Sequence, residues 1–235
     1  MVDTVTRIDA AERSVTLVSG GAVGYDYLIY AVGSATDERG VAGVAEFAYA
    51  ISTLETADRM RRALDDVPMS APVTVVGAGP QGIEVASELA ELGRTATLVC
   101  GEMLGPYLHP RGRRSVAKRL AKLGVNVLEG TEARVTAVTQ DSVQLSDGRE
   151  LASAMTIWTA GFGVPDLASR SGLSTDAIGR LLTDETLTSV DDGRIVAAGG
   201  AAAPSGLPLR MSCQAALVLH GVGRARAVNG MSHDD

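Results

Sequence analysis

The chain has 235 residues, enough for one large domain or two small ones, and its 46% hydrophobic content is ordinary for a protein that buries a core. A formal charge of −7 argues against a nucleic-acid partner, because proteins that bind the phosphate backbone carry a basic face. No apolar run approaches the roughly 18–20 residues that cross a bilayer, and the charged start MVDTVTRIDAAER is unlike a signal peptide, so the expected location is the cytoplasm.

In chain order, TVTRIDAAERSVTLV at 4–18 reads as two β-branched segments joined by a polar turn, and a more continuous apolar strand follows at 27–32, ended by Gly33 and Ser34. A helix is expected from Ser52, whose partner Glu55 completes an S-x-x-E capping box, to about Leu64; Pro68 and Pro72 stop it. From Val73 the pattern becomes strand, helix, strand, helix, strand: VTVVG, 80–92, TATLVC, about 111–123, and VNVLEG. Such alternation predicts a parallel sheet wound by right-handed crossovers. ARVTAVTQDSVQLSDGREL then alternates around an Asp147-Gly148 turn and predicts an antiparallel excursion, AMTIWTAG returns to a buried strand, and RIVAAGG at 194–200 is a last apolar strand closed by glycines. The fold class is therefore α/β.

Chemistry has few other places to reside. Cys100 and Cys213 lie far apart without metal-ligand spacing, and His109, His220 and His233 share no motif, so no disulfide framework and no metal site is expected.

Gly77, Gly79 and Gly82 form G-x-G-x-x-G directly after a strand and at the mouth of a helix, the context that gives the pattern its meaning. The first glycine makes the tight turn, the second lets backbone approach a pyrophosphate, and the third lets helix and strand pack closely. The helix head adds free N–H groups and a partial positive charge for the phosphates. Gly77, Ala78, Gly79, Pro80, Gln81 and Gly82 are thus candidate cofactor-binding residues for NAD(H). An acidic residue at the end of the second strand would bind the adenosine ribose and favour NAD over NADP. By register that position is Cys100, with Glu102 two residues on, so the choice between NAD(H) and NADP(H) stays open. Arg111, Arg113 and Arg114 could meet a 2′-phosphate or could simply be a solvated helix start.

YDYLIYAVGS, VTVVGAGPQGIEVASELAE, TIWTAGFGVP and RIVAAGG, in that order, together resemble the two-dinucleotide-binding flavoprotein family, most closely the type II NADH:quinone oxidoreductases and their relatives. The resemblance implies an NAD(H)-binding Rossmann domain over 41–158, inserted into a partial FAD-binding domain made of 1–40 and 159–235. It further implies cofactor contacts at Val32, Gly33, Ala160, Gly161, Gly199 and Gly200, and catalytic positions at Glu84, near nicotinamide and flavin, and Gln214, at the acceptor site. A first-turn helix carboxylate is the plainer account of Glu84, and a plain helix start that of Gln214. Trp158 and Phe162 are expected in the core rather than as stacking partners.

On the same resemblance, NADH passes hydride to flavin, which then reduces a quinone-like acceptor; peripheral attachment of the intact protein at a membrane belongs to this picture. Two departures weigh on FAD. The family's other glycine loop has no counterpart here, and Gly200 stands where the family carries a flavin-contacting aspartate. FAD is accordingly expected to be held weakly or not at all, and the competing reading is a non-catalytic nucleotide-binding module. Strands 27–32 and 195–198 are expected to flank a vacancy and to expose edges through which the chain could form a homo-oligomer.

Overall fold

A computed structural model of the chain describes residues 3–34 and 40–205. Two compact units emerge, one from Met1–Ala35 with Gly163–Asp235, the other from Thr36–Phe162, so that the second is inserted in sequence within the first.

The inserted unit is built on a five-stranded, wholly parallel sheet, in the order Ala48–Ala50, Met155–Trp158, Val73–Val76, Ala96–Gly101, Asn126–Glu129. All four residues of Val73–Val76 are buried, as a central strand covered on both faces requires. From this strand the chain steps outward twice on one side, then returns to the other side at Met155–Trp158. The strand order therefore reverses at Val73–Val76, and the crevice beyond the carboxyl end of such a strand is where doubly wound proteins bind ligands.

Alternation along the strands divides the core in two. Val73, Val75, Leu98 and Ile157 face a helical layer and pack with Ala86, Leu89 and Leu120. Val76, Val99 and Trp158 face the other way, onto Val135, Val138, Val143 and Leu145. Those last four belong to the antiparallel excursion, Val135–Val138, Ser142–Leu145 and Glu150–Ala152, which covers the second face where a helix would be the commoner choice.

Helices start and stop where local chemistry permits. Pro80–Glu91 and Pro110–Leu123 both carry proline at the first position, where the missing N–H costs nothing. Pro110–Leu123 ends at Gly124, which takes φ 81° and donates to the Leu120 and Ala121 carbonyls. Helix Leu54–Asp65 differs from expectation. Its cap is Thr53 rather than Ser52, and the reciprocal box is closed by Thr56 rather than Glu55. The two threonines satisfy each other's backbone amides, Thr53 N to Thr56 Oγ1 at 3.1 Å and Thr56 N to Thr53 Oγ1 at 3.2 Å. At the other end, the Arg94 guanidinium donates to the carbonyls of Leu64 (2.8 Å) and Val67 (3.0 Å).

The outer unit holds a three-stranded antiparallel sheet, Val5–Asp9, Ser14–Leu17 and Ala22–Gly24, and two parallel pairs, Leu28–Tyr30 with Ile195–Ala197 and Leu181–Thr183 with Ala202–Pro204. Ile8, Tyr30, Leu181, Leu187 and Ile195 form its core with the short helix Leu167–Arg170. The expected vacancy between strands 27–32 and 195–198 is absent: Leu28, Ile29 and Tyr30 lie directly opposite Ile195, Val196 and Ala197.

Candidate functional site

The three glycines at the carboxyl end of Val73–Val76 differ in what surrounds them. Gly77 has φ 135°, a conformation closed to other residues, and its N–H donates to Val99 O at 2.9 Å. A Cβ there would strike the Thr159 hydroxyl and lie 2.8 Å from the Thr159 carbonyl carbon and 2.9 Å from Ala160 N. A Cβ on Gly82 would fall onto the Gly77 carbonyl oxygen and 2.8 Å from Thr159 Oγ1. Gly77 and Gly82 are therefore glycine because protein already occupies the space. Gly79, the N-cap of Pro80–Glu91, is the opposite case: its φ of −74° suits any residue, and a Cβ would meet nothing within 4 Å. The protein itself does not demand glycine at this position. What a side chain would obstruct is approach from outside, toward a helix head whose first N–H groups have no partner within the helix.

The loop is fastened on several sides. Ala78 O accepts from Gly105 N at 3.0 Å, and Gln81 Nε2 donates to Ile51 O at 3.3 Å. Thr159, placed just after the strand Met155–Trp158, donates both its amide (2.8 Å) and its hydroxyl (2.9 Å) to Val76 O. Sequence reasoning did not single out Thr159; a threonine after a strand carries no local signal that its hydroxyl will sit beneath a loop some 80 residues earlier.

At the end of the next strand, Cys100 is half-buried at a bulge where the register with Asn126–Glu129 skips from Val99 to Gly101. Burial, and then the Glu129 carboxylate, push its thiol up to about 12, so it is neutral at any physiological pH. Glu102 follows the strand and pairs with Arg134, Nη2 to Oε1 at 3.1 Å, both side chains being largely exposed. Arg134 was not foreseen either, since it comes from a separate element beyond the last outward strand.

Glu84 is exposed and lies in the second turn of Pro80–Glu91; the first turn carries no acidic residue, so the plain account of a first-turn carboxylate does not apply. It faces the neighbourhood of Tyr107, whose hydroxyl is pushed up to about 12 by burial and then by Glu84 and Cys100. Ala160 is half-buried against the core, whereas Gly161 is exposed with φ 81°. Trp158 is core, as expected, but Phe162 is 38% exposed and is not. Arg113 bonds the Leu108 carbonyl at 3.2 Å, leaving Arg111 and Arg114 exposed at the helix start.

In the outer unit, Val32 and Gly33 follow Leu28–Tyr30, and Gly199 and Gly200 follow Ile195–Ala197, so the parallel pairing puts all four beyond the same, carboxyl, end of the pair. Gly33 (φ 75°) and Gly199 (φ 72°) are both left-handed, and a Cβ on either would meet nothing within 4 Å. Gln214 lies outside the described residues, as do Cys213, His220 and His233. Among the described residues no cluster of His, Cys, Asp or Glu could hold a metal ion, and no helix is long and apolar enough to cross a membrane.

A parallel sheet whose order reverses at a strand ending in G-x-G-x-x-G, with the middle glycine left open, defines an α/β protein of the dinucleotide-binding class. Residues 1–222 match the family described as pyridine nucleotide-disulphide oxidoreductase, and the chain belongs to that family. It is 32% identical over 219 residues to an NADH dehydrogenase-like protein of Mycobacterium tuberculosis, covering 85% of this chain and 54% of that protein. Similarity extends to the type II NADH:quinone oxidoreductase of the same organism, with 29% identity over 88% of this chain and 53% of the relative. The chain thus spans about half the length of the curated relatives it matches. Among solved structures, the ferredoxin reductase from Rhodopseudomonas palustris shares the fold with a TM-score of 0.76 at 22% identity, covering 94% of this chain and 57% of that one. NDH2 from Plasmodium falciparum in complex with NADH gives 0.68 at 21% identity, covering 87% and 50%.

Proposed function

We propose that the inserted unit binds the pyrophosphate of NAD(H) at the Gly77–Gly82 loop, as the pyridine-nucleotide portion of an FAD-dependent NADH dehydrogenase-type oxidoreductase. The observation that carries this reading is the contrast among the three glycines: two are enforced by contacts within the protein, while Gly79 is open at the helix N-cap and leaves the helix head clear for a ligand that docks there. Gly79 clears the approach, Pro80 fixes the helix entry, and the backbone of Ala78, Gln81 and Gly82 lines the helix head. Ala160 and Gly161, next to Thr159 at the switch point, border the same crevice, and Cys100 and Glu102 lie toward the adenosine side.

In this reading, nicotinamide and flavin supply the hydride chemistry, and the chain's residues supply placement. Glu84, exposed in the second turn of the glycine-loop helix, is assigned to the reacting end of the dinucleotide. Gly33 and Gly199 give open backbone, beside Val32 and Gly200, where FAD would approach the outer unit. Their fit is partial, because Gly200 offers no carboxylate for a flavin's hydroxyl groups, and weak FAD retention follows. A quinone-like acceptor, with Gln214 beside it, is carried over from the relatives' names and the family's pattern.

Calorimetry with NADH tests the reading. Binding to the unaltered chain, abolished by Gly79→Glu with folding intact, is the expected result; unchanged affinity in the variant would place the dinucleotide elsewhere. Visible absorbance separates the alternative of a non-catalytic nucleotide-binding module: a colourless protein that binds NADH supports the module, and stoichiometric, tightly held flavin rules out weak retention.

A further inference from the structure

Strand Leu28–Tyr30 of the outer unit has one open edge. Leu28 N donates to Arg194 O at 2.9 Å and Tyr30 O accepts from Ala198 N at 3.0 Å, so these two residues aim backbone groups at the neighbouring strand Ile195–Ala197. Successive residues of a ladder aim theirs to opposite sides, and Ile29 therefore turns its N–H and C=O away. The far side of Ile195–Ala197 is already taken, because Ser189 N donates to Ile195 O (2.8 Å) and Ala197 N donates to Leu187 O (2.9 Å). Among the described residues no strand lies on the open side of Ile29.

Side chains alternate in the same way. Leu28 and Tyr30 pack into the core, whereas Ile29 is 68% exposed and Tyr27, just before the strand, is 72% exposed. Exposed edges are ordinarily protected by lysine, proline or a bulge. YLIYAVG at 27–33 contains no charge and no proline, and the register with Ile195–Ala197 runs unbroken.

We propose that a second copy of this chain covers this edge, the two Leu28–Tyr30 strands running antiparallel about a two-fold axis at Ile29. In that register Ile29 of each copy exchanges N–H and C=O with Ile29 of the other, and two parallel pairs become one four-stranded sheet. Tyr27 then stands opposite Ala31 of the second copy, large against small, and Leu28 stands opposite Tyr30. The same patch serves both sides, as a two-fold contact requires. Charge favours this place for self-association: the formal charge of −7 opposes it in general, and 27–33 carries none of that charge. The apolar area is modest, with two large exposed side chains on each copy, so a reversible dimer with a dissociation constant of about 1–100 µM is expected.

Sedimentation of the full chain at rising concentration, under reducing conditions, tests this. The unaltered chain should pass from monomer to dimer. Ile29→Lys sets like charges directly opposite each other at the axis and should weaken the dimer by about tenfold or more, while Ile29→Val should keep it. Ile29 is exposed in the monomer, so the lysine variant should fold, and thermal melting of dilute protein checks that it does. Cross-linking reads the register. Hydrogen-bonded antiparallel partners have Cα atoms about 5.5 Å apart, within disulfide reach, so Ile29→Cys should link two copies on mild oxidation, and Tyr27→Cys should not. A chain that stays monomeric up to about 1 mM overturns the proposal. A dimer that Ile29→Lys leaves at full strength lies elsewhere, and one in which Ile29→Cys links no faster than Tyr27→Cys has another register; either result overturns it as well.

Discussion

Thr159 donates twice to the carbonyl of Val76, once from its amide at 2.8 Å and once from its hydroxyl at 2.9 Å. The two hydrogen bonds to one acceptor join the ends of two neighbouring strands directly under the glycine loop. Thr159→Val keeps the branched shape that packs on Gly77 and Gly82 and leaves the carbonyl with its amide partner. The expected cost is therefore at the low end for a buried hydrogen bond, about 0.5–1.5 kcal/mol in urea denaturation. NADH affinity should stay within about twofold, since shape rather than the hydroxyl holds the loop.

Gly82→Ala and Gly79→Ala should behave in opposite ways. The first places a methyl on the Gly77 carbonyl oxygen, so backbone must move, and a loss of about 1–3 kcal/mol is expected. The second adds a methyl in open space at φ −74°, and stability should be unchanged or raised by about 0.4–1 kcal/mol. Dinucleotide affinity should nevertheless fall in Gly79→Ala. Thermal melting with and without NADH reads both effects in one experiment.

Arg94→Ala removes the donor that satisfies the carbonyls of Leu64 and Val67 at the end of helix Leu54–Asp65. No residue of that helix is fully buried, so its hold on the sheet depends on its ends more than on a deep apolar stripe. A loss of about 1.5–3 kcal/mol is expected, allowing for the half-exposed position of the arginine. Hydrogen exchange should localise the loosening to the last turn of the helix, and uniform loosening across the sheet would speak against this role.

Alkaline pH should destabilise the protein through two protons that the fold retains. Cys100 rises from 9.0 to about 12 and Tyr107 from 10.0 to about 12, both first by burial. Each stays protonated in the folded chain while the unfolded chain has already lost its proton, so the unfolded state binds fewer protons and stability falls as pH rises. Below about pH 9 neither group contributes a slope. Denaturation midpoints measured from about pH 8 to about pH 11 should decline, and Cys100→Ser should make the decline shallower.

Legibility in the sequence follows the range of the forces involved. The glycine loop could be read because its demands, a positive φ at Gly77 and vanishing side chains at Gly77 and Gly82, act through residue type alone. The parallel alternation from Val73 and the excursion around Asp147-Gly148 were legible for the same local reasons. Ser52 is the better cap by residue type, yet the choice fell to Thr53 through a side-chain exchange with Thr56 that no S-x-x-E pattern encodes. Pairing of Leu28–Tyr30 with Ile195–Ala197 spans more than 160 residues, and a pattern of apolar residues gives strand identity without strand neighbours. The Glu102–Arg134 pair, 32 residues apart on separate elements, is hidden for the same reason.

Val76, Val99 and Trp158, each the last residue or nearly the last of its strand before the rim, rest on Val135, Val138, Val143 and Leu145 of the excursion. The excursion is thus the foundation on which the rim is levelled. Bulk trimmed from Val143 or Leu145 would let the strand tips settle and tilt the helix head, with no change to any residue a dinucleotide touches. A search for variants with altered grip on the nucleotide would therefore do well to begin some sixty residues downstream of the glycines, in a stretch whose sequence announces nothing but a small sheet.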